Sequence, residues 1–61
     1  MSQLILIKKT VSKQFNYWWN AKTEHWEGLR QNATPMDATK AQQWFIRLGG
    51  NKSSEISFEN L

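Results

Sequence analysis

The sequence predicts an α+β unit: a small, mainly antiparallel sheet in the order βββαβ, with one helix packed on one face. Three stretches predict it. Leu4-Ile5-Leu6-Ile7 is a run of strand formers too short to make a helix of its own. Phe15 to Leu29, FNYWWNAKTEHWEGL, alternates as a hairpin does and holds three of the four tryptophans, the one tyrosine and the one histidine. Ala38, Ala41, Trp44, Phe45 and Leu48 fall within a wedge of roughly 120° at helical spacing, and Gly49-Gly50 follows as a stop.

The first strand is read over residues 3–10. It is apolar on both parities, so both faces seek cover. Lys8-Lys9 ends the run, and Thr10 to Gln14 makes a polar connection. The second strand, from about Phe15 to Trp19, turns Phe15, Tyr17 and Trp19 to one side and Asn16 and Trp18 to the other. Asn20-Ala21-Lys22-Thr23 is read as a four-residue loop, because Ala-Lys suits the positive φ of a two-residue turn poorly. That loop pairs Trp19 with Glu24, Tyr17 with Trp26, Phe15 with Gly28 and Trp18 with His25. The side bearing Tyr17 and Trp26 is the core face, and the third strand fades around Leu29 to Gln31.

The helix starts at about Pro35 or Ala38 and ends at Leu48. Thr34 as cap with Pro35 at the first helical position gives one N-terminus; Asp37 as cap with Met36 stapled onto Ala41 gives the other. Glu55 to Leu61 reads as a last strand paired with the first, with Ile56 and Phe58 inward and Glu55, Ser57 and Glu59 outward. Residues 1–61 are thus read as a single domain.

A chain of 61 residues buries only about 60% of the surface its unfolded form exposes. Without cysteine it has neither disulfides nor thiolate zinc sites, and one histidine leaves a structural metal to carboxylates. Stability must come from aromatic burial, at roughly 150–250 Å² per ring, or from self-association. Eight Lys and Arg against five Asp and Glu give a net charge of +3 and a pI near 9.6. That sign suits nucleic acid or an acidic protein surface.

No stretch approaches the ~20 apolar residues of a membrane span. In MSQLILIKK the cations follow the apolar run, unlike a signal peptide. The expected location is cytoplasmic, with no membrane contact. Enzyme chemistry is not expected either. His25 has Glu24 and Glu27 as its nearest acids in sequence, the five acids are scattered, and no glycine pattern cradles a phosphate. The reading therefore assigns no catalytic residue, metal, cofactor or small-molecule substrate.

Binding residues are a different matter. His25 opposite Trp18 is either an ordinary cross-strand pair on a wet face or a stacking platform. Lys40, one turn before Trp44, and Arg47, three residues after it, can lie over the indole. With Gln43 they form either a cover of aliphatic stems or a basic ridge for a phosphate backbone. Ile46 projects away from the wedge, as a stray surface isoleucine or the start of a partner contact. Trp18, with one parity of the first strand, would make an apolar patch on the outer face of the sheet, and such patches mark interfaces. Trp26 and Trp44 are read as core rings.

The run YWWNAKTEHWEGL, followed by Ala33, Met36-Asp37, Ala41 and Leu48-Gly49, resembles short phage or prophage accessory proteins. In layout it is also similar to the arm-type amino-terminal DNA-binding domains of tyrosine integrases, which read DNA with a three-stranded sheet. That resemblance implies that Trp18, Lys22, His25 and Arg30 lie on or beside the reading surface. The chain departs from the integrase type in having a strand after the helix and in carrying Glu24 and Glu27 on the hairpin. Two functions stay open: sequence-tolerant nucleic-acid binding through cations and aromatics, and protein–protein interaction as a homodimer or as a small accessory factor docked on a host protein.

Overall fold

The computed structural model describes residues 3–13 and 15–61. Its elements are β1 (Ile5–Ser12), β2 (Phe15–Asn20), β3 (His25–Glu27), a 3-10 turn (Arg30–Asn32), α1 (Ala38–Arg47) and β4 (Ile56–Asn60). The strands form one antiparallel sheet in the order β3-β2-β1-β4, and α1 packs across β1 and β4. The α+β class, the order βββαβ and the pairing of the last strand with the first are as the sequence predicts.

Strand β1 runs further than expected. Lys8 and Lys9, which end only the apolar run, lie within it as expected and pair with Trp18 and Tyr17 on one side and with Ser57 and Ile56 on the other. Interior strands hold lysines when the ammonium can reach solvent past the neighbouring side chains. The ladder continues to Ser12, with a shift of register between Thr10 and Ser12 that leaves Val11 bulged and half-exposed. Gln14, the end of the expected connection, lies outside the described residues, as do Met1 and Ser2.

The hairpin register differs by two residues from the expected one: Trp19 pairs with Trp26, Trp18 with Glu27 and Asn20 with His25. The loop has four residues, but they are 21–24 rather than 20–23. Asn20 causes the shift. Its Oδ1 accepts from the N–H groups of Lys22 (2.9 Å) and Thr23 (3.1 Å), while its carbonyl accepts from Glu24 N–H at 2.8 Å. Asn20 is thereby the last strand residue rather than the first loop residue. Glu24 takes the left-handed conformation, φ 55°, that closes the loop. A slide of two residues preserves the faces, so Trp19 and Trp26 remain together on the helix side and Trp18 stays on the other. Phe15, expected in the core, is 58% exposed because it sits past the bulge and beyond the end of the short β3.

Between β3 and α1 the chain passes through the sheet. Ile5 N–H donates to the Met36 carbonyl (2.8 Å) and Met36 N–H to the Ile5 carbonyl (3.0 Å), while Thr34 N–H donates to the carbonyl of Trp19 (3.1 Å). Both Ile5 and Trp19 point these groups into the space between β1 and β2. The two strands therefore part beyond the Lys8–Trp18 pair, and residues 34–36 fill the gap. Ahead of this wedge, the 3-10 turn crosses the outer face: Arg30 ion-pairs with Glu59 and donates to the Asn60 carbonyl (3.2 Å) on the far strand. That crossing explains Leu6, which faces outward by parity yet is 1% exposed. The expected outer patch of Trp18 with Leu4 and Leu6 is thus covered at its centre.

Emerging from the gap, the chain starts α1 at once. Asp37 is the cap, its Oδ1 accepting from Lys40 N–H at 2.8 Å, and Met36 and Ala41 are both buried, as in the second of the two expected N-termini. At the other end Gly50 N–H donates to the Phe45 carbonyl (2.7 Å) and Gly49 N–H to that of Ile46 (3.1 Å), with Gly49 at φ 82°. The core is Ile7, Trp19, Met36, Ala41 and Ile56, with Trp26, Trp44, Phe45 and Leu48 packed around it.

Candidate functional site

The sheet divides the residues singled out in the sequence into two groups that cannot share a ligand. Trp18 and His25 stand on the outer face, with Arg30 above it and Lys22 exposed in the hairpin loop. Lys40, Gln43, Ile46 and Arg47 belong to α1 on the opposite side.

Two of the outer group, Arg30 and Trp18, are engaged internally. Glu59 sits at its centre, ion-paired with Arg30 and, at 3.6 Å, with Lys8. The Arg30 guanidinium holds the Glu59 carboxyl below the usual carboxylate range; partial burial opposes this, while the nearby Trp18 indole N–H and Lys8 add to the lowering. Among the described residues that buried indole N–H has no partner of full hydrogen-bond geometry. Nor does the expected Trp18–His25 pair form. Trp18 lies across from Glu27, and His25 is exposed opposite Asn20. On this face Glu59 and Glu27 stand against Arg30 and Lys8.

The helix group splits in turn. Around the axis of α1, Trp44, Lys40, Arg47 and Gln43 lie successively further out on the flank toward the hairpin, whereas Phe45, Ala38 and Ile46 lie on the flank toward β4. Because α1 covers β1 and β4, the helix-side face of β2 and β3 is roofed only from its margin, by Trp44. Three indoles meet there. Trp19, 6% exposed, lies edge-on to Trp26 and tilted against Trp44, with both centroids at 5.2 Å. Its Nε1 is buried without a partner among the described residues, so packing alone holds the ring. Trp26 and Trp44 are half-buried rather than core.

A cation covers each of the outer indoles. The Lys9 ammonium stands 5.5 Å from the centroid of Trp26, and the Arg47 guanidinium 4.7 Å from that of Trp44. Neither makes an ion pair among the described residues. Tyr17, paired with Lys9, continues the face. Next to Trp44 the hairpin loop, the 34–37 segment and Lys40 line a hollow of about 380 Å³ that includes Ala21, Thr34 and Pro35. Glu27 and Glu59 point to the other side of the sheet by register.

Arg47 lies over Trp44 and Lys40 lines the same hollow, as helical spacing allows, whereas Lys9 was not singled out in the sequence and Trp26, read there as core, is half-buried. A signal for Lys9 existed: it shares parity with Ile5 and Ile7, which puts a cation on the core side of the sheet next to the hairpin rings. No protein-family model, curated protein or solved structure matches this chain. Among the described residues there is no group of three or more His, Cys, Asp and Glu that could hold a metal ion, and no helix long and apolar enough to cross a membrane.

Proposed function

We propose that this protein binds single-stranded nucleic acid with little sequence preference, using the helix-side face of the β2–β3 hairpin and the adjoining flank of α1. The observation that carries the reading is the row Trp26–Trp19–Trp44 with Lys9 and Arg47 over its two ends. Aromatic rings backed by cations suit exposed bases and their phosphates, because every base has a stackable face and every phosphate a charge. A guanidinium lying over an indole keeps its edge donors free for phosphate oxygens, and its second face can take a base. Lys40 and Gln43 extend the donors along the helix. A duplex, with its bases stacked inside, would use the cations but not the rings. On this reading the protein acts without catalysis, inside the cell, as an accessory factor of the kind phages encode.

Oligonucleotide titration across a salt series tests the proposal. Affinity should fall steeply with salt, and Lys9→Ala and Arg47→Ala should each weaken binding uniformly across sequences and flatten the log–log slope by about 0.7. Trp26→Ala should cost about 1–3 kcal/mol of binding. Undetectable affinity for mixed-sequence single strands at low salt would overturn it.

A further inference from the structure

Among the described residues no strand pairs with the outer edge of β4, and only the Asn60 carbonyl is reached there, by Arg30. Ile5 gives both of its backbone groups to Met36, so the Ile5–Asn60 pair carries no hydrogen bonds, and by alternation the N–H and C=O groups of Ile56, Phe58 and Asn60 point away from β1. The Asn60 carbonyl takes Arg30 at 3.2 Å. The side chains of β4 on the helix side, Ile56, Phe58 and Asn60, are uncharged. Phe58 is 46% exposed and Ile46 54%, and with Phe45, Ala38 and Ile5 they line a groove of about 440 Å³ between β4 and α1. Sheet edges are ordinarily blunted by shortness, a bulge, proline or lysine. The opposite edge, β3, is three residues long; β4 has five, with neither lysine nor proline.

We infer that β4 pairs with β4 of a second copy, antiparallel about a two-fold axis at Phe58, joining two four-stranded sheets into one. Three features favour this occupant over a foreign strand. The outward-pointing groups match themselves: Phe58 meets Phe58 of the second copy on the axis, and Ile56 meets Asn60. On the outer face the same register sets Glu59 against Ser57, so the one acid of the strand meets a neutral side chain, and that acid is already neutralised by Lys8 and Arg30. Since α1 lies over β1 and β4, the two helices come to rest about two strand spacings apart, ~10 Å, the distance at which helices pack. Their facing flanks are Ala38, Gln42, Phe45 and Ile46, which fill the groove from both sides. The seam is short, under about 1,200 Å² in total, so the dimer belongs to the micromolar-to-millimolar range. It leaves both tryptophan faces open and stands independently of the nucleic-acid reading.

Sedimentation of the full chain over a wide concentration range tests the inference. The mass should rise from 7.2 kDa toward twice that value, and exchange of the Ile56 and Phe58 amides should slow as it does. Phe58→Glu places two carboxylates on the axis; Asn60→Pro removes an outward N–H and leaves the ladder to β1 intact. Each should raise the dissociation constant of the dimer about tenfold or more with an unchanged circular dichroism spectrum, and Asn60→Pro serves if Phe58→Glu unfolds the chain. A single-chain mass at millimolar concentration overturns the inference. So does a dimer indifferent to both substitutions. A monomer whose β4 amides respond only to an added extended apolar peptide would assign the edge to a foreign strand, and overturns it equally.

Discussion

Trp19 and Trp26 face each other across the hairpin, yet they carry different loads. Trp19 is buried between two other indoles; Trp26 has one neighbouring ring and a lysine over it. Trp19→Ala should cost about 3–5 kcal/mol, most of the stability of a domain this small, and abolish a cooperative urea transition. Trp26→Ala should cost about 2 kcal/mol and leave one. Alternation along the hairpin places both rings on the same face but says nothing of how far the roof extends, which is why Trp26 reads as core in the sequence. Glu59 gives the second test at this scale. Its carboxyl is held below the ordinary carboxylate range when folded, so its contribution is present above the unfolded value and lost as pH falls through the folded one. Stability should therefore decline on acidification, and Glu59→Gln should shrink that decline. The pair with Arg30 is partly exposed, so the effect at neutral pH is small.

Among the elements, α1 was the most legible, because its signals are local. Asp37, Met36, Ala41 and Gly49-Gly50 lie within a few residues of the backbone groups they satisfy. Asp37→Ala should cost about 1 kcal/mol in thermal or urea unfolding. Gly50→Ala should be the more damaging of two small changes, since a Cβ there would fall 2.3 Å from the ring of Phe45, which is itself packed, tilted, against Phe58. The hairpin was legible in its faces and not in its register: a four-residue loop can begin at residue 20 or 21, and the choice rests on which backbone groups the Asn20 side chain reaches. Least legible was the stretch 29–37. Its partners are Trp19, Ile5 and Glu59, remote in sequence, and no period or turn residue announces that a chain will cross a sheet and pass between two of its strands.

That passage organises the whole molecule. It covers the outer face, using Arg30 and burying Leu6, and it delivers α1 to the side where β1 and β4, but not β2 and β3, lie beneath it. In this arrangement Trp18 and Arg30 lie against Glu59 on the outer face, where His25 is exposed, while Lys9, Trp26, Trp44 and Arg47 come together on the other. The positions of Lys40 and Arg47 beside Trp44 were legible because helical spacing alone sets them there. Lys9 and Trp26 come together only through the pairing of three strands. The most direct measurement is to follow the four indole N–H resonances by NMR while a mixed-sequence single-stranded oligonucleotide is added at low salt. The resonances of Trp26 and Trp44 should shift and that of Trp18 should stay in place; movement of Trp18 alone, or of none of the four, would contradict the account.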